Sequence, residues 1–352
     1  MWSPGRRAVS LSLVALASTL ERGKVAGPMG RALAPMWARH ASRALVRRLE
    51  GFDGTHVVAI GGATLGGSGK TPLAIACAQA LASSGARVAL VGHAYRARPG
   101  HARAVRHEDT LDDVGDEAIL AARELAGAGV IVVVAPRRTE AVAYAAHRSE
   151  VIVLDGVAQT APVRASLALL AVDAHEPWGR TRAVPPLGDL RAPISALRSV
   201  SDALVAITDP RIDAVDPSLE GSWPADAHSR GVWSGGRIVP WGDLAGTRVG
   251  LVCASARPHR VLRFLEARGL NVRAMIRDPD HGPLRSGACL VRGLADAERQ
   301  SGVDLWLATA KCAIHLERSR YLTPSLPGVA LIDYSLTLGT KLVERLSRLG
   351  SP

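Results

Sequence analysis

The chain has 352 residues, of which 47% are hydrophobic and 4% aromatic, with a formal charge of +11. That length allows two α/β domains, and that apolar content excludes a disordered chain. Four scattered cysteines, Cys77, Cys253, Cys289 and Cys312, include no CxxC pair, which argues against a zinc site and a disulfide framework.

The positive charge is arginine charge. Only Lys24, Lys70, Lys311 and Lys341 are lysines among the 43 basic residues. A chain that uses Arg almost everywhere yet keeps Lys at 70 points to a need for a slim point charge there. Residues 1–50 hold nine Arg or Lys against two Glu. The apolar stretch 8–20 is short for a membrane span of ~20 residues. A secretory signal is the alternative, but no convincing small-residue cleavage site follows it. Residues 31–50 place Leu33, Met36, Trp37 and Leu45 among five arginines. The segment 1–50 is therefore expected to associate with a membrane surface through a basic amphipathic helix. A helix packed on the domain with a solvated face is the other reading of the same residues. No aromatic–basic interleaving marks a nucleic-acid module, so nucleic acid is not an expected partner.

From residue 56 apolar runs alternate with helical stretches. "HVVAIGG" (56–62) reads as a buried strand, and "KTPLAIACAQALASSG" (70–85) as a helix closed by Gly85. Between them lies "TLGGSGKTP" (64–72). Gly69-Lys70-Thr71 fits the end of a phosphate-binding loop, while Thr64 stands where its first Gly would be. Strand, Gly-rich loop and helix in that order turn backbone N–H groups and a helix N-terminus toward an anion. Thr64, Leu65, Gly66, Gly67, Ser68, Gly69, Lys70 and Thr71 are the expected phosphate-binding residues.

Strands at "RVALVGH", "VIVVVAP", "VIVLDG", "SLALLAVDA" and "ALVAITD" alternate with helices at "VGDEAILAARELAGAG" and "RTEAVAYAAHR". Near-continuous Val/Ile/Leu strands predict a mostly parallel sheet covered on both faces. Residues 209–245 are rich in Pro, Gly, Asp and Ser and read as an irregular connection. Alternation resumes through "RVGLVCA", "RPHRVLRFLEARG", "NVRAMIRD", "DLWLATA" and "VALIDY", which predicts a second, smaller α/β domain. The expected ranges are 51–235 for the phosphate-loop domain and 236–352 for the smaller one.

Asp155 ends the run "VIVL". A carboxylate at the tip of a buried strand can hold Mg²⁺, which takes oxygen ligands; the plainer reading is a turn cap beside Gly156. Asp116 and Glu117 open a predicted helix, where the helix dipole alone would favour them. Asp280 and His281 sit in a predicted turn.

In this order, these segments resemble the tetraacyldisaccharide 4'-kinases of lipid A biosynthesis over about residues 56–316. "TLGGSGKTP" resembles the family's phosphate loop, "VGDEA" its acidic helix start, and "VIVLDG" its metal-binding strand. "DLRAP" within 177–205 is similar to its PLREP, Asp280-His281 to the start of its DHH turn, and "TAKCAIHL" (309–316) to its TEKDAVKL. The resemblance implies transfer of the ATP γ-phosphate to the 4'-hydroxyl of an acylated glucosamine disaccharide phosphate. It implies ATP and Mg²⁺ as cofactors and a site on the cytoplasmic face of the bacterial inner membrane. It makes Lys70 a phosphate clamp, Thr71, Asp155 and Glu117 the metal environment, and Asp116 paired with His281 the group that activates the sugar hydroxyl. Four positions depart from the family pattern: Leu154 for the first Asp of DDG, Ala192 for Glu, Gly282 for the second His, and Cys312 for Asp. These losses keep open a weakened paralogue that binds nucleotide or glycolipid without efficient transfer. A GTPase-like switch is disfavoured, because "TAKC" ends in Cys312 where guanine recognition needs Asp.

Overall fold

The computed structural model describes residues 20, 27–50, 54–94, 97–212, 215–277, 302–318 and 329–350. In chain order the elements are α1 (Pro28–Ala44), β1 (Val46–Arg48), β2 (His56–Gly62), α2 (Lys70–Ser83), β3 (Val88–Val91), β4 (Arg103–Ala104), α3 (Leu111–Val114), α4 (Asp116–Glu124), β5 (Ile131–Val134), α5 (Arg138–Ala146), β6 (Val151–Asp155), β7 (Gln159–Ala161), β8 (Leu167–Asp173), α6 (Ile194–Ser199) and β9 (Ala203–Thr208). They continue as β10 (Trp223–His228), β11 (Gly231–Ser234), β12 (Arg237–Pro240), β13 (Arg248–Cys253), α7 (Pro258–Glu266), β14 (Asn271–Arg277), β15 (Leu305–Ala308), α8 (Ala310–Arg318), β16 (Val329–Ile332), β17 (Ser335–Leu338) and α9 (Thr340–Gly350).

The chain folds as two compact α/β units. The larger holds the described residues up to Thr208, residues 215–227 and residues 336–350; the smaller holds 209–212 and the described part of 228–335. This differs from the expected division at 235/236. After a short visit at 209–212, the chain passes into the smaller unit at His228 and leaves it again at Leu336. The return has a physical cause. Helix α2 is apolar nearly all round, with Leu73, Ala74, Ile75, Cys77, Ala78 and Leu81 buried, so the sheet alone cannot cover it. Helix α9 packs against it and buries Leu342, Leu346 and Leu349.

The larger unit is built on a nine-stranded sheet ordered β17-β10-β9-β8-β2-β6-β3-β5-β4. From β10 to β5 every neighbouring pair is parallel. All residues of β6 and β8 are buried, as strands covered on both faces require. Strands β2 and β6 are neighbours with Ile60 opposite Asp155. The loop after β2 and the carboxylate ending β6 therefore share one edge of the sheet, the carboxyl edge where open α/β sheets bind ligands.

One face of the N-terminal helix packs on the domain. Ala34, Ala41 and Leu45 join an apolar cluster with Leu170, Trp178, Leu190 and Ala192. On a separate stripe, spaced i, i+4, i+7 and i+8, α1 leaves Met29, Leu33, Met36 and Trp37 exposed. Among the described residues no helix is long and apolar enough to cross a membrane.

The stretch 209–245 is not the irregular connection its composition predicts. It carries β10, β11 and β12. Pro224 and Asp226 face outward or are half-buried while Ala225 and Ala227 turn inward, so small inward residues hide the strand alternation.

In the smaller unit a six-stranded sheet runs β12-β11-β16-β15-β13-β14. Strands β16, β15, β13 and β14 are parallel, and β11 is antiparallel to both its neighbours. Trp306, Val252, Ala254, Ala308, Cys312 and Leu316 form its core. Gly250 is required there, since a Cβ would lie 2.5 Å from the Trp306 ring. Arg268 is buried against Asp209, with Nη1 donating to Oδ2 at 2.7 Å and to Phe264 O at 2.8 Å.

Candidate active site

The loop between β2 and α2 folds back over the end of its own strand. A Cβ on Gly62 would collide with Ser68 Oγ, so only Gly permits this approach. Gly67 and Gly69 have φ of 65° and 82°, values that favour glycine. Thr64 has no such demand. It pairs with Leu190 in an isolated antiparallel bridge, flanked by Leu65 N–H to Asp189 O and Arg191 N–H to Ala63 O, both 2.9 Å. Its hydroxyl donates to Gly66 O at 2.8 Å. An extended, paired residue needs no Gly, which accounts for the variant first position.

Gly69 caps α2, so Lys70 and Thr71 open the helix. Lys70 Nζ donates to Glu117 Oε1 at 3.2 Å and lies 4.0 Å from Asp155 Oδ1. Thr71 Oγ1 donates to Asp155 Oδ2 at 2.6 Å. Lys70, Thr71, Asp155 and Glu117, four residues singled out in the sequence from three separate stretches, thus meet at one place. Asp116 is buried at the first position of α4 and accepts from Glu117 N at 2.9 Å. His281 lies outside the described residues, as do Asp280 and Gly282.

Asp155 is the electrostatic centre. Burial pushes its carboxyl above the usual range and the Glu117 charge adds to this; Lys70, the Thr71 bond and Arg138 act in the opposite direction. Its Oδ1 is buried without a hydrogen-bond partner. A desolvated carboxylate oxygen beside a Thr hydroxyl suits a hard cation that takes oxygen ligands. The residues present therefore fit Mg²⁺, which Thr71 and Asp155 would hold. Glu117 accepts from Lys70 at 3.2 Å.

Two arginines absent from the sequence-based list complete the site. Arg138 Nη1 donates to Asp155 O at 2.6 Å. A Cβ on Gly156 would lie 3.6 Å from Arg138 Nη2 and 4.0 Å from Lys70 Cε, so both cations close over that glycine. Arg191 Nε donates to Gly62 O at 3.3 Å. Arg191 lies in the "DLRAP" stretch and was within reach of the motif; Arg138 looked like an ordinary helix start.

The departures from the family pattern fall in defined places. Leu154 is fully buried in an apolar cluster with Val91, Val133 and Val142. Ala192 is fully buried in the cluster that includes Leu190 and Trp178. Cys312 Sγ accepts from Ala254 N and from Thr309 Oγ1, both at 3.1 Å.

Comparison with known proteins gives the family and the fold. The family model described as Tetraacyldisaccharide-1-P 4'-kinase matches residues 36–349. The tetraacyldisaccharide 4'-kinase of Anaeromyxobacter dehalogenans is 31% identical over 311 residues, covering 83% of this chain and 80% of that protein. That of Methylobacterium radiotolerans is 31% identical over 297 residues, covering 83% and 85%. A crystal structure of LpxK from Aquifex aeolicus in complex with ATP shares the fold, with a TM-score of 0.61 and 19% identity over 91% of this chain and 99% of that one. The family match spans residues 36–349, nearly the whole chain: the chain belongs to the tetraacyldisaccharide 4'-kinase family.

Proposed function

We propose that the chain transfers the γ-phosphate of ATP to the 4'-hydroxyl of a tetraacyldisaccharide 1-phosphate. The observation that carries this is the convergence of Lys70, Thr71 and Asp155 at the carboxyl edge of β2 and β6 in a chain of this family. In the transfer the sugar oxygen attacks the γ-phosphorus and the bond to the β,γ-bridging oxygen breaks, releasing ADP. Such a reaction asks for charge neutralisation and in-line positioning rather than covalent help. Phosphates entering the loop meet the backbone N–H groups of 66–71 and compete with Glu117 for Lys70. Magnesium, held by Thr71 and Asp155, would supply further neutralisation of the phosphate charge. Asp116 takes the hydroxyl proton or orients the hydroxyl; His281, its expected aid, lies outside the described residues.

The acceptor of such an enzyme is anchored in a bilayer by its acyl chains at ~0.8 kcal/mol per buried CH₂. The exposed stripe Met29, Leu33, Met36 and Trp37, with the exposed Arg31, Arg39 and Arg43 on the same helix, suits an anionic leaflet. We place the enzyme on the cytoplasmic face of the bacterial inner membrane, where ATP and such an acceptor meet.

The test is transfer from labelled ATP to a tetraacyldisaccharide 1-phosphate in detergent micelles with Mg²⁺. Lys70→Ala should lower kcat by ~10²–10³-fold, the loss typical of one donor aimed at developing charge. Wild-type protein that binds ATP yet forms no acceptor-dependent product would replace this reading with a nucleotide-binding paralogue.

A further inference from the structure

Leu65 is the residue of the Gly-rich loop that phosphate binding leaves unexplained. Its N–H donates to Asp189 O at 2.9 Å, so it has no donor to give an anion, and its side chain is hydrocarbon. Yet it is the only exposed residue of 64–71, with 43% of its surface open. A lone exposed Leu on an ordinary surface calls for no account. This one stands on a loop of Gly and Ser, and the fold fixes it there. The Thr64–Leu190 bridge and the Asp189 bond hold its backbone. The Thr64 hydroxyl ties down the residue that follows it, donating to Gly66 O at 2.8 Å.

The start of the loop rests on apolar ground. Ala63 and Leu190 belong to one buried cluster with Ala34, Ala41 and Leu45 of α1. The start of the loop and the helix that exposes Met29, Leu33, Met36 and Trp37 are therefore packed on the same core. The later N–H groups of the loop, with Lys70, are the part that suits phosphate. Donors at the end of the loop and a fixed hydrocarbon at its start suit two different ligands, a polyphosphate and an amphiphile.

We infer that Leu65 is a specificity-determining contact for the acceptor, packing against an acyl chain of the glycolipid when its hydroxyl meets the terminal phosphate. The inference rests on the kinase reading for the identity of the acceptor. A sugar anchored by acyl chains lifts part of its hydrocarbon out of the bilayer to reach the loop. Leu65 covers that hydrocarbon where water would otherwise meet it.

The experiment compares wild type with Leu65→Ala, which removes the contact, and Leu65→Met, which keeps an apolar side chain of similar volume. Calorimetric titrations use a non-hydrolysable ATP analogue with Mg²⁺ and, separately, tetraacyldisaccharide 1-phosphate in detergent micelles, read against empty micelles. Transfer assays give acceptor KM and kcat. Leu65→Ala should weaken acceptor binding and raise acceptor KM about tenfold, the scale of uncovering most of one Leu side chain. Affinity for the ATP analogue should stay within about twofold, and kcat should change little, because the contact is the same before and during transfer. Leu65→Met should restore acceptor binding to within about twofold of wild type. Acceptor affinity and KM that move less than twofold in Leu65→Ala would overturn the contact. So would an equal loss for the ATP analogue, which would assign Leu65 to the nucleotide, or a Leu65→Met loss as large as that of Leu65→Ala. A wild type that binds the acceptor but transfers nothing would fail the kinase reading alone, and the titrations would still decide the contact.

Discussion

In the larger unit, the two positions where the family resemblance calls for a carboxylate and this chain has none, Leu154 and Ala192, lie inside apolar clusters. In the smaller unit, Cys312 replaces an expected Asp yet keeps polar work, accepting from Ala254 N and Thr309 Oγ1. The difference follows from where each residue sits. Successive residues of a strand point to opposite faces, so Leu154 turns away from the side on which Asp155 meets Thr71 and Lys70. Its environment can become wholly hydrocarbon without touching the Asp155 carboxylate. Cys312 opens a helix, where an acceptor for neighbouring donors is needed whatever its chemistry. Its thiol is held neutral, since burial raises its pKa more than its bonds to Thr309 and Ala254 lower it.

The comparison can be broken by restoring the carboxylates. Leu154→Asp should cost more than about 3 kcal/mol in urea unfolding, because the new group finds only apolar neighbours. Near-wild-type stability would mean that the Leu154 surroundings still accommodate a polar group. The smaller unit supplies a scale for polar loss at full burial. Asp209→Ala leaves Arg268 buried without its carboxylate, a loss of about 3–5 kcal/mol by the same measurement. Cys312→Asp should stay within about 1 kcal/mol of wild type, because a carboxylate accepts from the same two donors and suits a helix N-terminus; Cys312→Ala should cost about 1 kcal/mol, as a lost cap does. A larger penalty for Asp than for Ala would show that the thiol is there for its neutrality.

The smallest effect concerns an exposed pair. Arg248 holds the Asp304 carboxyl down to about 2, below the ~3.9 of an unfolded Asp. A depressed carboxyl stabilises the fold above its unfolded pKa, and the contribution is lost as pH falls toward 2. The Tm gap between wild type and Asp304→Asn should be constant at neutral pH and close below about pH 4. High salt should narrow it throughout.

Most of the larger unit could be read from the chain because its strands are continuous Val/Ile/Leu runs separated by helical stretches. Lys70, Thr71 and Asp155 were legible for a related reason: Asp155 ends such a run, and Lys70 and Thr71 open the helix after the Gly-rich loop that follows another, at the same edge of the parallel sheet. The strands of 223–240 were hidden, since Pro and Asp occupy outward positions and only alanines mark the inward face of β10. The role of α9 was hidden as well, because an amphipathic helix announces that it must be covered but not by what.

By itself, the sequence determined the α/β class, the Gly-rich loop between β2 and α2, the Asp155 strand tip and the family resemblance. Each depends on local spacing, and local spacing sets backbone periodicity and loop chemistry. Only the tertiary structure decided that Arg138 reaches the Asp155 carbonyl and Arg191 the Gly62 carbonyl, that Glu117 engages Lys70, and that the last helix returns to the larger unit. Those are contacts between residues tens to hundreds of positions apart, fixed by sheet order and by which apolar faces find cover.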